Sequence, residues 1–227
     1  MKTIKLKKQY KNKVSDIYAD VYYQQNQKSR ELFYKILGKN LKGKKLVDLA
    51  CGDGLDLVYY DKLGADTFGI DMSKDFVSAA KKNNPKLANQ ITIDDFENLK
   101  LPKNKFNIVV SKYAIQTSSR IDKVFNEAHR ILKPKGEFYL LVTHPIRQYV
   151  ERRGKNKNYF IPKVVNSILF DGALTVREPA HTFLEYLSPE ILSKFDLQLF
   201  DEKYDSAAEQ IDGDVYPGFM VMKFKKR

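Results

Sequence analysis

The 227-residue chain has one cysteine, no tryptophan, three histidines and no apolar run long enough to cross a bilayer. A lone thiol, Cys51, excludes an intramolecular disulfide and any cysteine-rich zinc site. Without about 18 consecutive apolar residues, no transmembrane helix and no membrane partner are expected. Lysines follow Met1 but no apolar segment stands behind them, so the N-terminus does not read as a secretory signal, and a cytoplasmic location is expected. His129, His144 and His181 show neither H-x-x-H nor H-E-x-x-H spacing, so no metal is expected. Arginine is scarce as well, with eight among the 40 basic residues. The net charge of +12 would suit a polyanion, yet phosphate and base recognition favour the arginine fork over lysine. Abundant Lys, Asn, Ile, Tyr and Phe are what an AT-rich genome produces without selection for nucleic acid. A length of 227 residues is enough for one domain with a core and a small insertion.

What is present is a strand followed by a bare turn. Leu46-Val-Asp-Leu ends an apolar run, and the chain turns through Ala50, Cys51, Gly52 and Gly54 into apolar residues at helical spacing from Leu55 to Leu63. Such a turn exposes main-chain amides at a helix N-terminus, where a flat ligand can lie against them. A second strand, Phe68-Gly-Ile-Asp71, ends in an acid at about the separation at which a carboxylate reaches ribose hydroxyls in a doubly wound sheet. The turn reads D-x-A-x-G-x-G from Asp48, not the G-x-G-x-x-G of dinucleotide folds, and the acid would repel a pyrophosphate. The inference is a nucleoside-bearing ligand without phosphates at this turn. Cys51 lies inside it and reads as a small residue that fits.

In this order, five segments resemble the motifs of the class I S-adenosylmethionine (SAM)-dependent methyltransferases: Asp48–Gly54, Gly69-Ile-Asp-Met-Ser73, Asp94-Asp-Phe-Glu-Asn-Leu99, Phe106-Asn-Ile-Val-Val-Ser111 and Arg130-Ile-Leu-Lys-Pro-Lys-Gly-Glu-Phe-Tyr139. Ala50, Asn107 and Lys135 depart from the family pattern. The resemblance implies SAM as cofactor, leaving S-adenosylhomocysteine. It implies cofactor contacts at Asp48, Ala50, Cys51, Gly52, Gly54, Met72 and Ser111, with Asp71 on the ribose, Asp95 on the adenine amine and Phe96 beside the ring. The fold implied is α/β: a Rossmann-like doubly wound seven-stranded sheet with an antiparallel C-terminal strand, an N-terminal helical lid and an inserted cap. Tyr18, Tyr22 and Tyr23 are the lid aromatics that could reach the methionine end, with one, Tyr18, taken as the contact. His181-Thr-Phe-Leu-Glu-Tyr186 resembles the "HR-T-x-x-x-Y" segment of the type 11 small-molecule group, with Thr182 in place of the arginine.

Alternation of apolar runs and helical spacing places strands near 45–49, 66–71, 90–94, 106–111 and 136–143, with helices near 54–63, 73–83 and 120–132. The single domain divides into a helical lid (1–43), a cofactor core (44–143), a cap (144–185) carrying Pro145, Pro162, Pro179 and short apolar pieces, and a C-terminal helix with two antiparallel strands (186–227). Methyl transfer needs orientation and exclusion of water more than a fixed triad. The candidates beside the acceptor are Tyr113, after the fourth strand; His144, after the fifth, as a base or as a strand cap; and His181. No Asn/Asp-Pro-Pro-aromatic run follows the fourth strand, which argues against the usual flipped-base chemistry. A small-molecule acceptor is the first expectation. An RNA or protein acceptor using the basic surface, and a scaffold with a degenerate pocket, stay as alternatives.

Overall fold

In the computed structural model, the described residues are 26–152, 158–169, 174–204 and 216–227. Most of the expected lid, with Tyr18, Tyr22 and Tyr23, lies outside them. Helix α1 (Gln27–Leu37) ends at Gly38, whose φ of 91° few side chains tolerate. Then follow β1 (Lys45–Leu49), α2 (Leu55–Lys62), β2 (Asp66–Asp71), α3 (Lys74–Asn83), β3 (Ile91–Ile93), β4 (Phe106–Lys112), α4 (Ile121–Ile131) and β5 (Leu132–Thr143). The cap adds a short α5 (Pro145–Arg147), the strands β6 (Lys163–Leu169) and β7 (Leu174–Ala180), and α6 (Phe183–Tyr186). Helix α7 (Pro189–Lys194), β8 (Phe195–Lys203) and β9 (Phe219–Lys226) close the chain.

Seven strands form one sheet in the order β3-β2-β1-β4-β5-β9-β8. The first five pair in parallel, and β9 lies antiparallel between β5 and β8. Strand side chains alternate between faces, so Val47 and Leu49 enter one buried cluster while Leu46 enters the other. Both faces are therefore covered, which is why the parallel strands read as apolar runs. Helix α4 shows the packing: Ile121, Val124, Phe125, Ala128 and Ile131 are buried along one stripe. Phe125 meets Phe138, Phe195 and Phe224 edge to face at 5.1–5.9 Å.

One expectation needs correction. Strand β5 starts at Leu132, directly after α4, not at 136; a bulge opposite Phe106–Ile108 and Lys135 at φ 62° let the chain turn within it. Within the cap, β6 and β7 form a separate antiparallel pair, in register from Lys163↔Ala180 to Leu169↔Leu174. Strand order reverses between β1 and β4, so the C-terminal ends of these strands open the crevice where such sheets bind ligands.

Candidate functional site

The turn after β1 is built from left-handed backbone. Ala50, Gly52 and Gly54 have φ of 64°, 55° and 75°. Ala50 therefore fits through its conformation as well as its size, at a cost of roughly 1–2 kcal/mol relative to glycine. A Cβ on Gly54 would lie 2.7 Å from Asn84 Nδ2 and 2.8 Å from Ala80 Cβ, so only glycine lets the turn rest on α3. Asn83 and Asn84, which no sequence motif indicated, donate from α3 to the carbonyls of Asp53 and Gly54, both at 2.9 Å. Gly54 holds the N-cap position of α2, and Asp53 accepts from the Leu55 amide at 3.2 Å. Ser73 caps α3, accepting from the Phe76 amide.

Asp71 joins the turn to the next loop. Its carboxylate accepts from the Gly52 amide at 3.0 Å and from the Ser73 amide at 2.8 Å, and half-buried Met72 follows. Burial pushes this carboxyl above its ordinary range despite those bonds. Cys51 is buried against Gly69, where a Cβ would come within 2.9 Å of its sulfur. Burial, Asp48 and Asp71 push the thiol well up, so it stays protonated and is a packing group, not a nucleophile.

The third loop hangs from β3. Asp94 accepts from the Asp95 and Lys100 amides at 2.9 Å, and Asp95 accepts from the Glu97 amide at 3.0 Å. Phe96 is half-buried against the core. Arg130 explains its place in the fifth motif: it donates to the Leu99 and Leu101 carbonyls at 2.8 Å and pairs with Glu127, fixing this loop from α4. Asn107 accepts from the Lys45 amide at 3.0 Å and holds the start of β1. Ser111 donates its hydroxyl to the Leu49 carbonyl at 2.9 Å, stapling β4 to β1.

Beneath the turn lies a charged cluster that the motifs do not contain. Lys112, at the end of β4, pairs with Asp56 of α2 and donates to the Tyr34 hydroxyl of α1 at 3.1 Å. Tyr34 also donates to Asp56, and Arg30 of α1 lies 3.5 Å from the same carboxylate. The Lys112 ammonium sits over the rings of Tyr34, Phe33 and Tyr60 at 4.7–5.9 Å. Burial works against the Asp56 charge, but Lys112, Tyr34 and Arg30 outweigh it and hold the carboxyl below its ordinary range. Burial lowers Lys112, with Asp56 and Asp48 opposing. Asp48 is 2 % exposed, and among the described residues none hydrogen-bonds its carboxylate. Burial therefore pushes it well up, with the Lys112 charge opposing. A lysine on an inward position of a buried strand was the signal in the sequence that could have revealed this cluster.

At the cap, the histidines are fully committed to the protein. His144 is buried, accepts from the Ile146 amide at Nδ1 (3.1 Å) and therefore carries its proton on Nε2, facing Glu202 at 2.9 Å. Of base and cap, the geometry is that of a cap, with no lone pair to spare; burial lowers its pKa, and Glu202 opposes this. His181 is buried, with Nε2 2.8 Å from the Gln116 carbonyl and Nδ1 3.1 Å from Glu185. Gln148 links the hairpin to α5 through Glu178, the Pro179 carbonyl and the His181 amide. Tyr113 follows β4 at φ 49°, its amide on the Leu141 carbonyl at 2.7 Å, a conformation bulky residues seldom adopt outside functional turns. Near His181, Gln116 Oε1 and the Tyr186 hydroxyl are buried with no hydrogen-bond partner among the described residues. His129 is half-buried against Phe195 and lies apart from this group.

The crevice therefore presents bare left-handed backbone, the Asp71 carboxylate at the end of β2 and the buried Asp48 carboxyl. Residues 47–140 match the family of the methyltransferase domain. An uncharacterised methyltransferase of Synechocystis is 31 % identical over 119 residues, covering 50 % of this chain and 55 % of that protein. The ubiquinone biosynthesis O-methyltransferase of Pelagibacter ubique is 32 % identical over 117 residues, covering 49 % of this chain and 48 % of that protein. This chain thus spans about half the length of these curated relatives. The fold of a SAM-dependent methyltransferase from Mesorhizobium loti superposes with a TM-score of 0.70 at 22 % identity, covering 86 % of this chain and 96 % of that one. Residues 47–140 thus match the methyltransferase-domain family, and the sheet that carries them has the fold of SAM-dependent methyltransferases.

Proposed function

We propose that this chain is a cytoplasmic methyltransferase that carries a methyl group from SAM to a small molecule by in-line displacement. The cofactor supplies an electrophilic methyl on a sulfonium; the protein's part is to bind, orient and keep water out. Gly52 and Gly54 would lie along the adenosine, Asp71 would take the ribose, and Asp95 and Phe96 the adenine. Asp48 would take the methionine ammonium. Neither His144 nor His181 has a free ring nitrogen, so the reading relies on positioning and not on a histidine base. Tyr113, held in its unusual backbone at the end of β4, would border the acceptor.

The observation that carries the acceptor class is the pair of unpartnered atoms under the cap, Gln116 Oε1 and the Tyr186 hydroxyl. Both residues are buried, at 4 % and 0 % exposure, where an unmet hydrogen-bonding group costs about 1–3 kcal/mol. A small acceptor carrying a hydroxyl or amine would satisfy them. The test is transfer of labelled methyl from SAM to a panel of phenols, amines and thiols, run beside bulk tRNA. Gln116→Leu and Tyr186→Phe should each lower transfer to the best small acceptor at least tenfold while thermal stability holds or rises, since each removes an unsatisfied group. Label in tRNA alone would contradict this reading in favour of a nucleic-acid acceptor, which the net charge of +12 keeps as the second reading.

A further inference from the structure

The cluster below the glycine turn has more charge than the fold requires. Four ionisable side chains from four elements meet there: Arg30 on α1, Asp56 on α2, Lys112 on β4 and, beside them, Asp48 on β1. Lys112 has 3 % of its side chain exposed and Asp56 12 %. Replacing such an ion pair with apolar residues of the same volume is often neutral or stabilising, so folding alone does not account for it. Burial pushes the Asp48 carboxyl well up, so Arg30 and Lys112 together face the one charged carboxylate of Asp56, and a ligand carboxylate would offset the excess positive charge.

A ligand's amino-acid end would find separate partners for its two charges. Asp48 is a buried carboxylate without a hydrogen-bond donor among the described residues, as an acceptor awaiting an ammonium would be. An ammonium has three donors, and Lys112 directs two of them to Asp56 and Tyr34. Tyr34 and Arg30 come from α1, so the same contacts hold the lid helix against the end of β4. We propose that Lys112 is the residue that binds the α-carboxylate of the cofactor's methionine end, with Asp56 and Tyr34 aiming its ammonium and Asp48 receiving the α-ammonium. The proposal rests on SAM as the cofactor. It adds to that reading a recognition residue outside the five motifs, and it makes the packing of α1 on the end of β4 part of the site for the amino-acid end.

Three probes separate the contact from a merely structural role: S-adenosylhomocysteine, its decarboxylated analogue, and 5′-methylthioadenosine, which lacks the amino-acid end. Calorimetric titration of the full chain with Lys112→Met should show at least a tenfold loss of S-adenosylhomocysteine affinity. Affinities for the other two probes should stay within about twofold, because neither has the carboxylate; Lys112→Arg should keep most of the S-adenosylhomocysteine affinity. If Lys112→Met leaves Asp56 unpaired and the chain unfolds, the double variant Lys112→Met/Asp56→Asn removes both charges and carries the same expectation. Equal loss for all three probes, or no loss for S-adenosylhomocysteine, overturns the proposal. Wild-type protein that binds none of the three overturns the cofactor reading, and the proposal with it.

Discussion

The two ends of the crevice are made by different means. At the end proposed for the cofactor, the surface is largely backbone: the Gly52 amide, the left-handed turn and the Asp71 carboxylate that spans two loops come from residues 48–73, close together in the chain. At the end proposed for the acceptor, the surface is made of side chains from distant elements. Gln116 follows β4, His144 and Gln148 follow β5, and Glu178, His181 and Tyr186 belong to the cap. Backbone recognition needs only a few residues of special conformation in a fixed order, which a sequence displays directly. Side-chain recognition needs a hairpin to be folded first. The difference teaches why the cofactor can be read from such a chain while the acceptor cannot.

Substitutions can break this contrast, the largest effect first. Gly54→Val should destabilise the protein by about 2–5 kcal/mol, adding left-handed strain of ~1–2 kcal/mol to overpacking of ~1–3 kcal/mol against Asn84 and Ala80. Urea denaturation would read the loss, and S-adenosylhomocysteine binding should vanish. A stable variant that binds normally would mean that the turn is not the cofactor's seat.

The acceptor end predicts a smaller, pH-dependent effect. Burial lowers the pKa of His144, so the unfolded chain takes up its proton first as pH falls. The contribution of neutral His144 to stability is therefore complete above its unfolded value of about 6.5 and is lost as pH falls from there toward the folded value. His144→Asn keeps an acceptor for the Ile146 amide and removes the titration. Its stability should fall less between pH 7.5 and 5.5 than the wild type's, by about 1 kcal/mol per unit of pKa shift removed, and its methyl transfer should stay within a few-fold. A loss of transfer by orders of magnitude, with the fold intact, would restore His144 as a base.

Particular residues show where reading the sequence ended. The runs at 45–49, 66–71 and 106–111 are legible because both faces of a parallel strand are buried, and α4 because its stripe repeats every three to four residues. The cap hairpin is not: Ser167 and Glu178 are buried polar residues whose bond to each other, at 2.6 Å, removes the apolar alternation that marks a strand. The charged cluster is hidden by separation, since Tyr34 and Lys112 are 78 residues apart and neither belongs to a motif. Ser111 illustrates the reverse, a motif position whose hydroxyl is spent on the Leu49 carbonyl, within the sheet.

The central claim is that the turn after β1 and the carboxylate of Asp71 hold an adenosine bearing an amino-acid end. Titration of the full chain with S-adenosylhomocysteine and with NAD tests it most directly. The account predicts one S-adenosylhomocysteine per chain, binding in the micromolar range in the wild type and at least a hundredfold more weakly in Asp71→Ala, with no binding of NAD. Tight binding of NAD, or S-adenosylhomocysteine binding that Asp71→Ala leaves intact, would contradict it.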